Sequence, residues 1–193
     1  MKTTVVAMVL LLAGATLLAR DACRSFKGAV ATRLVDAATD RYLDDGGPQA
    51  PWPWADFLPV GRLRAPRLGV SRPVLAGGPG QTMAFGLTHV AGTARPGADG
   101  RVGLAGHRDR WAEFMGDLRV GDALVLETAD TARTYVVAAV RVVDQRDVSV
   151  LAPDAGRELV LVTCYPVGGV TPTRQRLVVV ASAPADLTAS PAP

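Results

Sequence analysis

Glu158-Leu159-Val160-Leu161-Val162-Thr163-Cys164-Tyr165-Pro166 is the stretch that decides how this chain is read. Its apolar residues run on without a polar break, as in a strand buried on both faces. Pro166 then stops the run, because proline has no N–H to give to a sheet ladder. The strand therefore ends at Cys164, with the thiol on a rigid support but within reach. The structural reading of such a thiol is a small buried hydrophobe; the chemical reading is a nucleophile at a strand end.

Two further segments repeat the pattern. Val102-Gly103-Leu104-Ala105-Gly106-His107 is an apolar strand that ends in Gly-His, and Gly106 allows a sharp turn or a close approach by another chain. Arg174-Gln175-Arg176-Leu177-Val178-Val179-Val180 opens a strand soon after the Cys-Tyr-Pro turn. Consecutive strands are often neighbours, so an arginine here can lie beside Cys164. Arg174 and Arg176 share one face by strand alternation, and parity does not choose between them.

Working outward, short apolar runs broken by Gly and Pro fill the chain from Gly61 onward. Strands are predicted over Arg62–Leu68, Pro73–Leu75, Val102–Ala105, Ala123–Glu127, Thr134–Val143, Glu158–Cys164 and Arg176–Ala181. Trp111–Leu118 reads as one short helix. Many strands with little helix predict a mainly β domain closed, or nearly closed, into a barrel. Arg24–Asp44 reads as a helix with Val30, Leu34, Ala37 and Ala38 on one face, stopped by Asp45-Gly46-Gly47-Pro48. Pro51-Trp52-Pro53-Trp54 is an aromatic linker whose rings cover the domain. The Ala-, Pro- and Ser-rich stretch 183–193 is expected to be disordered.

Composition excludes several chemistries. The 193 residues carry a net charge of +3, and nearly all the basic residues are arginines; only Lys2 and Lys27 are lysines. These arginines are scattered among apolar residues without aromatic interleaving, so no nucleic-acid partner is expected. The chain has no Asn, which rules out a Cys-His-Asn triad. With His89 and His107 its only histidines and no Cys-x-x-Cys motif, no zinc site and no cofactor are expected.

At the front, Thr3 to Ala19 form an apolar run of roughly 17 residues, the lower limit for a membrane-crossing helix. Arg20, Asp21, Arg24 and Lys27 end it. No small-x-small cleavage site follows closely, so residues 1–22 read as an uncleaved anchor rather than a signal peptide. Lys2 and the amino terminus compete with the basic residues beyond the run, and charge alone does not fix the orientation. Arg20-Asp21-Ala22 before Cys23 does not fit a lipoprotein signal, so Cys23 reads as a bystander. A disulfide to Cys164 is neither required nor excluded.

Together these segments resemble the sortase family. Leu161-Val162-Thr163-Cys164-Tyr165-Pro166 followed by Gln175-Arg176-Leu177-Val178-Val179 is similar to the Thr-x-x-Cys strand and its downstream arginine, and Leu104-Ala105-Gly106-His107-Arg108 to the Gly-His segment. Phe85-Gly86-Leu87-Thr88-His89, Gly92-Thr93-Ala94-Arg95-Pro96-Gly97 and Gly121-Asp122 fit as well. Trp52-Pro53-Trp54-Ala55-Asp56 and Arg62-Leu63 resemble the Gram-negative branch, called class GN and close to class D. Two departures stand out: Leu87-Thr88 where members often have Pro-Gly, and Arg101 where they usually carry Asn.

The resemblance implies an eight-stranded closed barrel at 51–182, preceded by a transmembrane helix at 1–22 and a juxtamembrane helix and linker at 23–50. It implies a cysteine transpeptidase. Cys164 would be the nucleophile, His107 its acid/base partner and Arg176, rather than Arg174, the charge stabiliser. Thr163, Tyr165 and His89 would contact or shape the substrate groove, and Asp109 is a candidate to orient His107. The implied partners are a membrane-anchored protein with a C-terminal Leu-Pro-x-Thr-Gly-like signal, an acceptor amine, and the bilayer. The implied location is the inner membrane, single-pass, with the catalytic domain outside the cytoplasm. A hydrolase using the same residues and an inert peptide-docking barrel are the alternatives. An L,D-transpeptidase is disfavoured, because its Cys and His normally lie close together in sequence.

Overall fold

The computed structural model describes residues 2–77 and 80–184, except for the side chains of residues 2–7 and 9. After a long helix, α1 (Lys2–Asp45), eight strands follow: β1 (Phe57–Ala65), β2 (Val70–Gly77), β3 (Leu87–His89), β4 (Gly100–Ala105), β5 (Ala123–Glu127), β6 (Ala132–Asp144), β7 (Arg157–Cys164) and β8 (Gln175–Ser182). They close into a barrel in the order β1-β2-β3-β4-β7-β8-β6-β5. Closure pairs the last strand with the first, Arg62 to Arg64 of β1 against Glu127 to Val125 of β5. A closed sheet leaves no long open edge.

Alternation builds the core. Leu159, Leu161 and Thr163 of β7 point inward beside Leu177, Val179 and Ala181 of β8, and Val102 with Leu104 of β4 lies on the other side. Leu63, Leu124, Leu126, Tyr135 and Val137 complete the lining. Trp111, Phe114 and Met115, from the connection after β4, join the same cluster. The unbroken apolar run of β7 has a second cause. Its outward Val160 is buried with Val178 beneath Val150 of the β6–β7 connection. Covered on both faces and paired in parallel with β4, this strand has no polar side to show.

Seven of the eight strands fall where the pattern predicts them. β3 escapes because three residues are too few to show alternation. It is held in parallel by β2 and antiparallel by β4. Two other expectations change. Pro66–Leu68 is a 3₁₀ turn rather than the end of a strand, and the short helix is a 3₁₀ segment over Glu113–Asp117.

The chain divides into two compact units, Met1–Leu34 and Val35–Pro193. In the second, the helix buries Val35, Ala38 and Thr39, and Val35 joins Phe57 and Leu75. The predicted face is thus turned: Ala38 belongs to it, but Val30 and Leu34 are exposed. Trp52 covers the domain, edge-on to Phe57 at 5.5 Å, whereas Trp54 is exposed. Ala183, placed by sequence in a disordered tail, is anchored through its N–H to Arg157 O at 2.8 Å; 185–193 lie outside the described residues.

The apolar run expected to span a membrane lies within α1, and part of it, 3–7 and 9, falls outside the described side chains. Among the described residues no helix is long and apolar enough to cross a membrane, so the expected span over 1–22 has no support there.

Candidate active site

Cys164 is the last residue of β7, partly exposed and a free thiol. Alternation turns it to the outer face of the barrel, with Val160 and Val162. Thr163, between them, is buried and points inward. Its hydroxyl donates to the carbonyl of Gly106 at 2.8 Å, tying the end of β7 to the residue before His107.

β4 and β7 run in parallel register, Ala105 opposite Val162, and Gly106 N–H continues the ladder to Val162 O at 3.2 Å. Extending that register by two residues sets His107 level with Cys164. His107 is exposed, and its carbonyl accepts from Ala112 N–H at 3.0 Å, which curls the chain away after the ring. Gly106 is required by close packing: a Cβ there would lie 2.7 Å from Leu87 Cδ2 and 3.0 Å from Ala112 Cβ. Among the described residues no hydrogen bond joins the Cys164 thiol to the His107 ring.

On the other side of the thiol, Arg176 is the cross-strand partner of Cys164. Directly opposed residues of an antiparallel pair project on one face. This pairing separates Arg176 from Arg174, which sits two residues earlier, exposed and beyond the last rung. The Arg176 guanidinium donates to Gln175 O at 2.9 Å, Thr173 O at 3.3 Å and Gln145 Oε1 at 3.1 Å.

The remaining predicted residues have other surroundings. His89 Nε2 donates to Ala94 O at 2.9 Å and lies 3.2 Å from Thr93 Oγ1, so its ring braces the loop after β3. Tyr165 is exposed beside the thiol, and its carbonyl accepts from the Thr173 hydroxyl. Asp109 is exposed and hydrogen-bonds none of the described residues, His107 included. Cys23 is a second free, exposed thiol. Among the described residues no group of His, Cys, Asp and Glu is arranged to hold a metal ion.

The outer face leading to Cys164 is floored by small, half-buried residues, Ala105 and Val162. Its far end is walled by the β6–β7 connection. A Cβ on Gly103 would meet Leu151 Cδ2 at 2.8 Å and Thr93 Cγ2 at 3.0 Å. Arg101 tethers that wall, with Nη1 on Ala152 O at 2.7 Å, Nη2 on Glu158 at 2.6 Å and Asp154 at 3.5 Å. Gln145 and Leu151 are not among the sequence candidates, and Arg101 figures there only as a departure from the family pattern. Their signal is tertiary, since each acts through a partner distant in sequence.

An eight-stranded closed barrel with a thiol, an imidazole and a guanidinium at three adjoining strand ends defines a class of β-barrel proteins with a strand-end cysteine. A family model described as a sortase domain matches residues 63–183, and the chain belongs to the sortase family. It is 31% identical over 107 residues to sortase D of Bacillus subtilis, covering 55% of this chain and 54% of that protein. The chain thus aligns with about half the length of that curated relative. Among solved structures, sortase A of Listeria monocytogenes superposes with a TM-score of 0.59 at 25% identity, over 65% of this chain and 87% of that one. A Clostridium perfringens sortase D5 transpeptidase superposes with a TM-score of 0.65 at 18% identity, over 80% and 98% of the two chains, which bears on the fold alone.

Proposed function

We propose that this protein is a cysteine transpeptidase that cleaves a Leu-Pro-x-Thr-Gly-like signal near the C-terminus of a partner protein and joins the freed acyl group to an amine. The observation that carries the reading is the register. Cys164 pairs with Arg176 across β7 and β8, while β4 runs parallel to β7 and ends at Ala105 opposite Val162, with Gly106 N–H on Val162 O carrying the ladder to the residue before His107.

The chemistry follows from these side chains. The Cys164 thiolate attacks the carbonyl carbon of the scissile Thr–Gly bond. Arg176, always protonated, stabilises the tetrahedral oxyanion. Imidazolium His107 gives its proton to the departing glycine nitrogen, the C–N bond breaks, and a thioester remains on Cys164. Neutral His107 then takes a proton from the incoming amine as it attacks the thioester, and Cys164 leaves as thiolate. Protein, acceptor and proton balance over the two halves. Thr163 serves as a strut that fixes Gly106 rather than as a substrate contact, and Tyr165 borders the thiol.

The test is intact-protein and product mass spectrometry with a Leu-Pro-x-Thr-Gly peptide and a small amine. A thioester on Cys164 and a ligated product, both absent in Cys164→Ala, are expected. Cleavage that ignores the amine would make the protein a hydrolase. No adduct across a panel of signal variants would sink the catalytic reading.

We place the chain in the Gram-negative branch close to class D; Trp52-Pro53-Trp54 and the identity to a sortase D support this. Residues 1–22 are proposed as a single-pass anchor in the inner membrane, with the barrel outside the cytoplasm. The apolar run Thr3–Ala19 in the sequence supports it. Membrane fractionation decides: the full chain should pellet with membranes and a chain lacking 1–22 should not.

A further inference from the structure

We infer that Arg108 is a positioning residue that fastens the turn bearing His107 to the segment leaving Cys164, and so sets the separation of ring and thiol. The inference rests on the transpeptidase reading for its catalytic consequence, but not for its geometry.

Arg108 follows His107 directly. Its Nη2 donates to the carbonyl of Thr171 at 2.8 Å and its Nη1 to the carbonyl of Pro166 at 3.3 Å. Among the described residues it has no carboxylate partner. Both hydrogen bonds of this cation therefore go to the connection between β7 and β8, the segment that begins right after the thiol. That connection is closed at its ends by Tyr165 N–H to Gln175 O at 3.0 Å and by the Thr173 hydroxyl on Tyr165 O. Val167 packs on the core, but Val170 at the tip is 95% exposed. On the tip side the connection is held by Arg108 on Thr171 O and by Gly169 N–H on Pro166 O at 3.2 Å. Gly169 leaves room for the turn beside it: a Cβ there would lie 2.8 Å from Pro166 Cγ and 3.5 Å from Arg108 Nη1.

The contact reaches both reacting groups. The His107 carbonyl is pinned from behind by Ala112 N–H, and the Arg108 fork pins the same turn from the front to the exit of Cys164. A planar guanidinium can hold two fixed carbonyls at once, whereas an ammonium on a flexible stem is a single point.

The experiment uses the full chain in detergent, as wild type, Arg108→Met and Arg108→Lys. Hydrogen exchange of 165–174 is read by mass spectrometry, and thioester formation on Cys164 is followed in a single turnover with the Leu-Pro-x-Thr-Gly peptide. In Arg108→Met, exchange of 165–174 should rise about tenfold as the local opening energy falls. Acylation should slow by about 10- to 100-fold, the scale of an ångström misplacement. Arg108→Lys should recover part of both, with the melting temperature little changed throughout. Unchanged exchange overturns the clamp. Faster exchange with acylation at the wild-type rate, or a Lys variant as impaired as Met, overturns the positioning role. If the wild type itself forms no thioester, the transpeptidase reading fails. The clamp then stands or falls on exchange and on the rate at which iodoacetamide alkylates Cys164, which must differ in Arg108→Met for it to survive.

Discussion

Cys164, His107 and Arg176 are asked for different things, so their removal should be felt differently. Cys164→Ala removes the atom that forms the covalent bond and should abolish thioester formation. His107→Ala should leave the thiol but cost about 10²- to 10⁴-fold in kcat, the range for a positioned acid/base group. Arg176→Ala should cost about 10²- to 10³-fold, as for loss of an oxyanion donor. Arg176→Lys should recover only part of this, because the charge returns without the planar fork. Gln145→Ala should cost less than Arg176→Ala, since the carbonyls of Thr173 and Gln175 still hold the guanidinium. Steady-state kinetics on the five variants check this order.

At the scale of elements, the site depends on how closely backbones approach. Gly61 of β1 lies where a Cβ would be 2.6 Å from the carbonyl oxygen of Glu127 on β5, at the seam that closes the barrel. A backbone carbonyl cannot swing away as a side-chain tip can. Gly61→Ala should therefore lower the melting temperature markedly, and a thermal melt would show it. Arg101 governs a different element, the β6–β7 connection over Gly103 and beside the floor of Ala105 and Val162. Arg101→Ala should loosen that wall, raising the peptide KM several-fold while leaving kcat nearly unchanged. A fall in kcat at constant KM would separate the wall from substrate binding.

For the whole molecule, the core and one ion pair, between buried Asp122 and exposed Arg67, set stability. Leu161 is 1% exposed in the centre of the barrel, and Leu161→Ala should cost about 2–5 kcal/mol in denaturant unfolding. Asp122 couples two connections, accepting from the Arg67 guanidinium and from Arg119 N–H at 2.7 Å. The Arg67 hydrogen bonds lower its pKa from 3.8 to about 2, against the opposing effect of burial. A depressed carboxylate stabilises the fold above its ordinary value and loses that contribution as pH falls. The contribution is whole above about pH 4 and is lost on the way down through about pH 2. Asp122→Asn should melt several degrees below wild type at pH 6, and the gap should close as the pH nears 2. A gap that stays constant with pH would remove the ion pair as its cause.

Much of this was written locally. The run Leu159–Cys164 fixed a buried strand ending at a thiol. Gly106-His107 fixed a second strand end, and Pro166 fixed the stop, because chain stiffness, alternation and the missing proline N–H act within a few residues. The sequence by itself therefore determined a mainly β domain and its candidate cysteine and histidine. Only the tertiary structure decided the rest. The short β3 exists because β2 and β4 hold it, with no pattern of its own. The helix face shifted because Phe57 and Leu75 chose what to bury. Arg176 is separated from Arg174 by one cross-strand rung, which parity cannot supply. Arg101, Arg108 and Gln145 matter through carbonyls and carboxylates far along the chain. These are long-range pairings, and only closure of the barrel brings their partners together.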